Sequence, residues 1–432
     1  MKNKVFRPFA SPFAGTTARK AIYSSFFIFC SSLKRSFLYF SFFFLYFSFF
    51  FLPLQASAAG WMSRLPDAAY VAVVSIPGAH DAATGSGWET AYADLGDSFA
   101  RTQELNLAEL WSAGVRAFDL RPCTREGYLN INHGIIPTIA RFDRALYLLR
   151  DSLLANPSEF VVIHLLHETD GDQVDGTYNQ QLLDVLGKDG LKDFFVPFRR
   201  DLTVGDLRGK MLLLSRDVYA SKPVGGFIRG WSHSASWDSM TKGQITGPSS
   251  GAATLYMQDF FETYADGALD TKTSAMTRLL RFSTTHATTS ASSIRWVMNF
   301  ASAYSLTLNL FGYTVSSSDG YRDNAVHTHA AILDFLRDNA AGPTGIIFMD
   351  YAGVDQSNGY ATRGKELLEA IIANNFTYLD DLSGISEPIP SSLDRTTPVA
   401  IYSLLGRRLE APRKGTVCLV RYANGTVRKV CY

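Results

Sequence analysis

Gly114-Val115-Arg116-Ala117-Phe118-Asp119-Leu120-Arg121 is a short, mostly apolar run that ends in a carboxylate and a guanidinium. Its central part, 115–120, reads as a strand buried on both faces. Seven similar runs stand at 71–76, 129–132, 160–165, 211–215, 254–257, 295–299 and 345–349. Helical periodicity fills several intervals, at 142–154, 178–186, 326–339 and 364–374. Eight buried strands with intervening helices predict an α/β fold, an irregular (β/α)8 TIM-type barrel. The irregularity is expected at 122–128, an interval too short for a helical crossover between parallel strands.

The residues just past these runs are polar or ionisable: His80-Asp81, Asp119 with Arg121, His133, His164 to Glu168, Arg216, Asp259, Asn299 and Asp350. Loop polarity alone would favour Gly, Asn, Ser and Pro there. A set of His, Asp and Arg on the rim that barrels use for chemistry points to an active site. Two imidazoles, His80 and His133, suit removal of one proton and delivery of another near neutral pH. Asp81, Asp119 and Asp350 are available to fix their tautomers. Arg121 supplies a planar cation that forks onto two phosphate oxygens. This is an inventory for cleaving a phosphodiester with no metal and no other cofactor. There is no Gly-rich phosphate loop with a following Lys-Ser/Thr, no Cys-x-x-Cys and no His-Glu-x-x-His. His164-x-x-His167 and His327-x-His329 read as structural, because neither spacing puts both rings on one face.

Charge is unevenly spread along the 432 residues. Residues 1–59 carry seven cations and no acid, and 401–432 carry a net +6, so the total of +1 leaves −12 on residues 60–400. A body that acidic is no general nucleic-acid binder. Lys34-Arg35, an apolar run at 37–54 and Ala56-Ser57-Ala58 read as an export leader spanning 1–59, with an uncleaved anchor as the alternative. The barrel is assigned to 60–383, a linker to 384–398 and a small β-module to 399–432. Within that module Asn424-Gly425 is a strong two-residue hairpin signal and would set Cys418 opposite Cys431. A cross-strand disulfide is therefore expected, as suits an exported chain, with Cys123 left as a free thiol.

Taken in order, Ser75-Ile76-Pro77-Gly78-Ala79-His80-Asp81, the Gly114 to Arg121 run and Asn132-His133-Gly134 resemble bacterial phosphatidylinositol-specific phospholipase C. Pro157-Ser158-Glu159, the stretch Gly209 to Arg216, Gln258-Asp259, Asn299-Phe300 and Phe348-Met349-Asp350-Tyr351 extend the likeness across 61–382. The resemblance implies that His80, helped by Asp350, is the base and that His133, oriented by Asp81, is the acid. It implies that Arg121, buttressed by Asp119, holds the phosphate of a phospholipid or inositide at a membrane interface, with no metal. Arg216 and Asp259 would contact inositol hydroxyls. Two departures touch the head-group pocket: His167 or nothing replaces the family's Lys near the fourth strand, and Phe261 replaces an aromatic hydroxyl. Trp88, Trp231 and Trp237 are expected at the interface. The last 35 or so residues, with Ile401 to Arg408 and Pro412-Arg413-Lys414-Gly415, resemble Bacteroidetes-type sorting modules and imply delivery to the cell surface or outside. The rivals are a metal-dependent glycerophosphodiesterase and a surface binding barrel without turnover.

Overall fold

The computed structural model describes residues 58–86, 93–217, 224–232, 240–248, 252–286, 293–310, 313–382, 398–403, 408–409, 417–422 and 427–431. Nearly all of the expected leader and linker, together with Trp88 and Trp237, lies outside them. The strands in chain order are β1 (Ile76–Ala79), β2 (Ala117–Leu120), β3 (Pro122–Arg125), β4 (Tyr128–His133), β5 (Ile136–Arg141), β6 (Val161–Leu165) and β7 (Met211–Ser215). They continue with β8 (Gly226–Arg229), β9 (Thr241–Thr246), β10 (Ala253–Gln258), β11 (Arg295–Phe300), β12 (Thr307–Leu310), β13 (Tyr313–Ser316) and β14 (Ile346–Met349), then β15 (Pro398–Ser403), β16 (Arg408–Leu409), β17 (Val417–Tyr422) and β18 (Val427–Cys431).

Nine of these strands close a barrel in the order β1-β14-β11-β10-β9-β8-β7-β6-β2. Every pairing is parallel except those of β9, which runs against both neighbours. Strand alternation divides the side chains into two layers. Phe118, Ile163, Leu213 and Ile347 face helices such as Phe142–Ala155, whose Leu146 and Leu149 belong to the same cluster. Ala117, Val162, Leu212, Met298 and Phe348 share the other cluster, which fills the barrel interior. By the same parity His80, Asp119, His164 and Asp350 continue the interior-facing rows at the C-terminal ends of β1, β2, β6 and β14.

Several expected strands are corrected. Residues 71–73 form a 3-10 turn, and β1 starts only at Ile76. Val71, Val73 and Val74 pack among the barrel's interior side chains, so the apolar run closes one end of the barrel and does not lengthen a wall. The run at 129–132 belongs to β4 of a separate antiparallel sheet, β3-β4-β5, because its short connection permits only a hairpin. β8 and β9 take its place in the wall. β9 alternates buried and exposed positions and so offers no continuous apolar run.

Residues at the C-terminal end form a four-stranded antiparallel sheet, β16-β15-β17-β18. Its register pairs Val417 with Cys431 and Cys418 with Val430. The ribbon is thus displaced by one residue from a two-residue Asn424-Gly425 turn. The expected register, with Cys418 directly opposite Cys431, is corrected; the expected disulfide concerns side chains outside the described ones. Cys123 is buried and free.

Candidate active site

β1 ends at Ala79, and His80 follows it with its imidazole turned inward and its side chain 10% exposed. Nδ1 of His80 lies 2.8 Å from Oδ1 of Asp350, the residue that follows β14. Burial, reinforced by the Asp81 charge, pushes the Asp350 carboxyl well above its ordinary range. In its ionised form it only accepts, and the pairing then puts the ring proton on Nδ1 and the lone pair on Nε2. Burial, reinforced by the Arg121 charge and opposed by Asp119, holds His80 well below the usual imidazole range. The ring is accordingly neutral at pH 7, as a base has to be.

Arg121 stands beside that lone pair. Its Nε and Nη2 both donate to Oδ2 of Asp119, at 3.1 and 2.9 Å, and its Nε forms an ion pair with Oδ1 of Asp81 at 2.9 Å. Asp119 is clamped from below as well, since Nδ1 of His164 lies 2.7 Å from its Oδ1. Burial alone would raise Asp119, but Arg121 and His164 outweigh it and keep the carboxyl well below its ordinary value. Asp81 is pushed by burial up to about 7 despite Arg121. Its Oδ2 stands 3.4 Å from both His80 Nε2 and His133 Nδ1.

The second histidine arrives on the irregular part of the fold. His133 closes β4, and the β3-β4-β5 sheet carries it to the barrel mouth. Nδ1 of His133 lies 2.9 Å from the carbonyl of Ala100, and Nε2 lies 3.2 Å from the Tyr321 hydroxyl. Burial and the Arg121 charge lower His133 to about 4.

These groups open on one cavity of about 550 Å3, whose lining includes His80, Asp81, Arg121 and His133. Arg216, Asp259 and Phe261 line it too, as expected from sequence. The Arg216 guanidinium sits 4.5 Å from the centre of the Trp231 ring, whose indole N–H donates to Oδ2 of Asp259 at 2.9 Å. Trp231 thus braces the pocket and packs against His164 and Phe300, which corrects its expected place at a membrane interface. His167 is also corrected. Its Nε2 pairs with Asp172 at 2.8 Å and its ring stacks on Tyr178, so it is absent from the cavity lining.

His164 and Glu168 stand in the rim set read from sequence but were given no catalytic role, and Tyr321 was not singled out. Alternation along β6 carried the signal for His164: of two histidines three apart, one has to point inward. His329 is buried and held by the Thr362 carbonyl, while His327 is largely exposed, as the structural reading expects. His80, Asp81 and Asp119 bring donor atoms within 4.8 Å of one another, a spacing that a metal ion also uses. Here Arg121 already bridges the two carboxylates, and a cation would meet its fixed charge. The fit favours an anion.

No family model matches the chain. The 1-phosphatidylinositol phosphodiesterase of Staphylococcus aureus (strain Newman) is 25% identical over 308 residues, covering 69% of this chain and 90% of that protein. The protein of the same name from Listeria monocytogenes serovar 1/2a is 32% identical over 173 residues, 38% of this chain and 50% of that one. Among solved structures, a phosphatidylinositol-specific phospholipase C from S. aureus containing pentafluoro-Phe aligns with a TM-score of 0.59 at 22% identity, covering 73% of this chain and 98% of that one. The L. monocytogenes enzyme aligns with a TM-score of 0.53 at 23% identity, covering 74% and 99%. Sequence and fold agree on the same relatives.

Proposed function

We propose that this relative of the bacterial phosphatidylinositol-specific phospholipases C cleaves phosphatidylinositol into diacylglycerol and inositol 1,2-cyclic phosphate. Nε2 of His80 takes the proton from the inositol 2-hydroxyl, whose oxygen attacks phosphorus. The bond from phosphorus to the diacylglycerol oxygen breaks as that oxygen receives a proton from Nε2 of His133. Arg121 faces the phosphoryl oxygens, and Asp119, itself held by His164, keeps the guanidinium in place. Attack by a neighbouring hydroxyl is intramolecular, which removes most of the entropic part of the barrier. Arg216 and Asp259 meet ring hydroxyls, and Phe261 gives an apolar wall where the family has a hydroxyl.

The observation that carries this reading is the placement of Arg121 beside two imidazoles that open on one cavity. Burial and Arg121 depress the free His133, and a phosphodiester bound at Arg121 offsets that charge and favours the imidazolium needed to donate. The leader-like 1–59 and the sorting-like 399–432 support an exported protein at the cell surface or beyond. No helix among the described residues is long and apolar enough to cross a membrane.

Phosphorus NMR of the purified protein with phosphatidylinositol vesicles in excess chelator tests the reading. A five-membered cyclic phosphate is the expected product. Turnover only after calcium is added would transfer the chain to the metal-dependent glycerophosphodiesterases. Head-group binding without product under either condition would make it a binding barrel.

A further inference from the structure

Three neighbouring residues, Ala100, Thr102 and Gln103, take no chemical step in the reaction above but contact the residues that do. Residues 100–103, between the helices Ala93–Phe99 and Leu107–Ala113, run across the ends of β1 and β14. Gln103 is fully buried, and its Nε2 donates to the carbonyls of both His80 and Met349 at 2.8 Å. Its Oε1 accepts from the Ala352 N–H at 3.0 Å. One amide side chain therefore ties the residue that carries the base to the strand end that carries its carboxylate. Thr102, also fully buried, adds a hydroxyl contact to the His80 carbonyl at 3.2 Å, and its own carbonyl accepts from the Tyr351 N–H at 2.7 Å. At the other end of the segment the Ala100 carbonyl meets Nδ1 of His133 at 2.9 Å.

Two of the braced positions are strained. Asp81 has φ of 40° and Tyr351 has φ of 50°, left-handed conformations that non-glycine residues rarely adopt. Each follows directly on His80 or Asp350, and the sharp turn ends the strand at the reacting side chain. Such turns persist where surrounding contacts over-determine them. The 100–103 segment supplies contacts to both.

We infer that residues 100–103 are a positioning strap, in which Gln103 locks the His80–Asp350 couple and the Ala100 carbonyl confines proton exchange on His133 to its cavity-facing nitrogen. A peptide carbonyl accepts a hydrogen bond but does not take up the proton. His133 therefore keeps its Nδ1 proton in both charge states, and gain and loss occur at Nε2. With a carboxylate as sole partner, either nitrogen is open to exchange. One strap thus fixes the separation of the acid and the base and the tautomer of His133, while Asp350 sets that of His80. It rests on the proposed lyase reading only for the naming of base and acid.

Nitrogen-15 NMR of the histidine rings in the wild-type protein tests the tautomers without reference to activity. The expected result is an Nδ1–H on both His80 and His133 at pH 7. A His133 ring protonated at Nε2 with a bare Nδ1 would overturn the inference. Gln103→Met, close in volume but without either polar group, tests the lock on the base. Steady-state kinetics on phosphatidylinositol should show kcat reduced about 30-fold or more with KM within about twofold, as expected for misplaced reacting groups with an intact pocket. Gln103→Glu, which keeps the acceptor toward Ala352 and can donate to at most one of the two carbonyls, should share the kcat loss. Unchanged kcat in either variant, or equal loss in kcat and 1/KM, would sink the strap. If Gln103→Met does not fold, Gln103→Glu and the wild-type ring signals decide. Wild-type protein with the expected tautomers but no turnover would reject the proposed function and leave the strap standing.

Discussion

His80 and Arg121 carry different parts of the rate, and their removal has different signatures. His80→Ala deletes the base while leaving Arg121, Arg216 and Asp259 on the cavity wall. Turnover of phosphatidylinositol should fall about a thousandfold or more, within the range for general-base loss, while myo-inositol binding measured by calorimetry stays within about threefold. Loss of binding with little loss of turnover would assign His80 to the pocket and not to the chemistry. The pH profile is set by His133. With its free-state value near 4, the donating imidazolium becomes scarcer at each step above that, and His80 is already deprotonated. kcat/KM, which reports the free protein, should fall about tenfold per pH unit between roughly 5 and 6, below the range in which the neighbouring Asp81 also titrates. kcat should fall later, because bound phosphate offsets Arg121. A flat kcat/KM across that range would remove His133 from the role of acid. These residues were legible because each stands just past an apolar run. His164 was not, because strand alternation alone says that one histidine of the pair points inward and not which, and the register of β6 against β2 decides it.

At the scale of elements, the acid depends on a sheet that is not part of the barrel. Gly171 packs under that sheet: a Cβ there would come within 2.7 Å of Asn132 Nδ2, 2.9 Å of the Gly134 carbonyl and 3.0 Å of Cys123 Sγ. Backbone on one side leaves little room to yield, so Gly171→Ala should push the end of β4, and His133 with it, away from Arg121. A stability loss of about 1–3 kcal/mol is expected from overpacking, with kcat down about tenfold or more because small displacements of reacting groups are costly. Gly60→Ala, whose Cβ meets nothing within 4 Å, is the control and should leave kcat unchanged. A Gly171→Ala protein with normal kcat would show that β4 is positioned from elsewhere. The same sheet explains one failure of sequence reading. The run at 129–132 has the apolar pattern of a barrel strand, and only the turn at Gly127 with its φ of 77° commits it to a hairpin. β9 fails for the opposite reason. Its pattern is that of a half-exposed strand, and reversal of direction leaves no mark in periodicity. In the C-terminal sheet, a one-residue shift of register separated two cysteines that the turn signal had placed face to face.

For the molecule as a whole, charge distribution sets how it meets its substrate. The −12 on residues 60–400 opposes approach to an anionic lipid surface, and the +6 on 401–432 favours it. Each cation near such a surface contributes about 1 kcal/mol, and the effect is screened within about 10 Å at 0.1 M salt. The basic C-terminal sheet is thus the part of the chain suited to an acidic surface, and the barrel is the part that works once there. With residues 1–59 removed, vesicle sedimentation on phosphatidylinositol-rich vesicles should show binding that weakens about tenfold or more from 10 to 150 mM salt. Replacing Arg407, Arg408, Arg413 and Lys414 together by Gln should abolish that decline or reverse it, because screening then mainly relieves repulsion by the barrel. Turnover of a short-chain, monomeric phosphatidylinositol should be the same for both proteins, since a monomeric lipid presents no charged surface for these cations to meet. An unchanged salt dependence after the replacement would place surface attraction on the barrel and deny the C-terminal sheet this part. Equal losses on vesicles and on the monomeric lipid would instead make those four cations part of the catalytic fold.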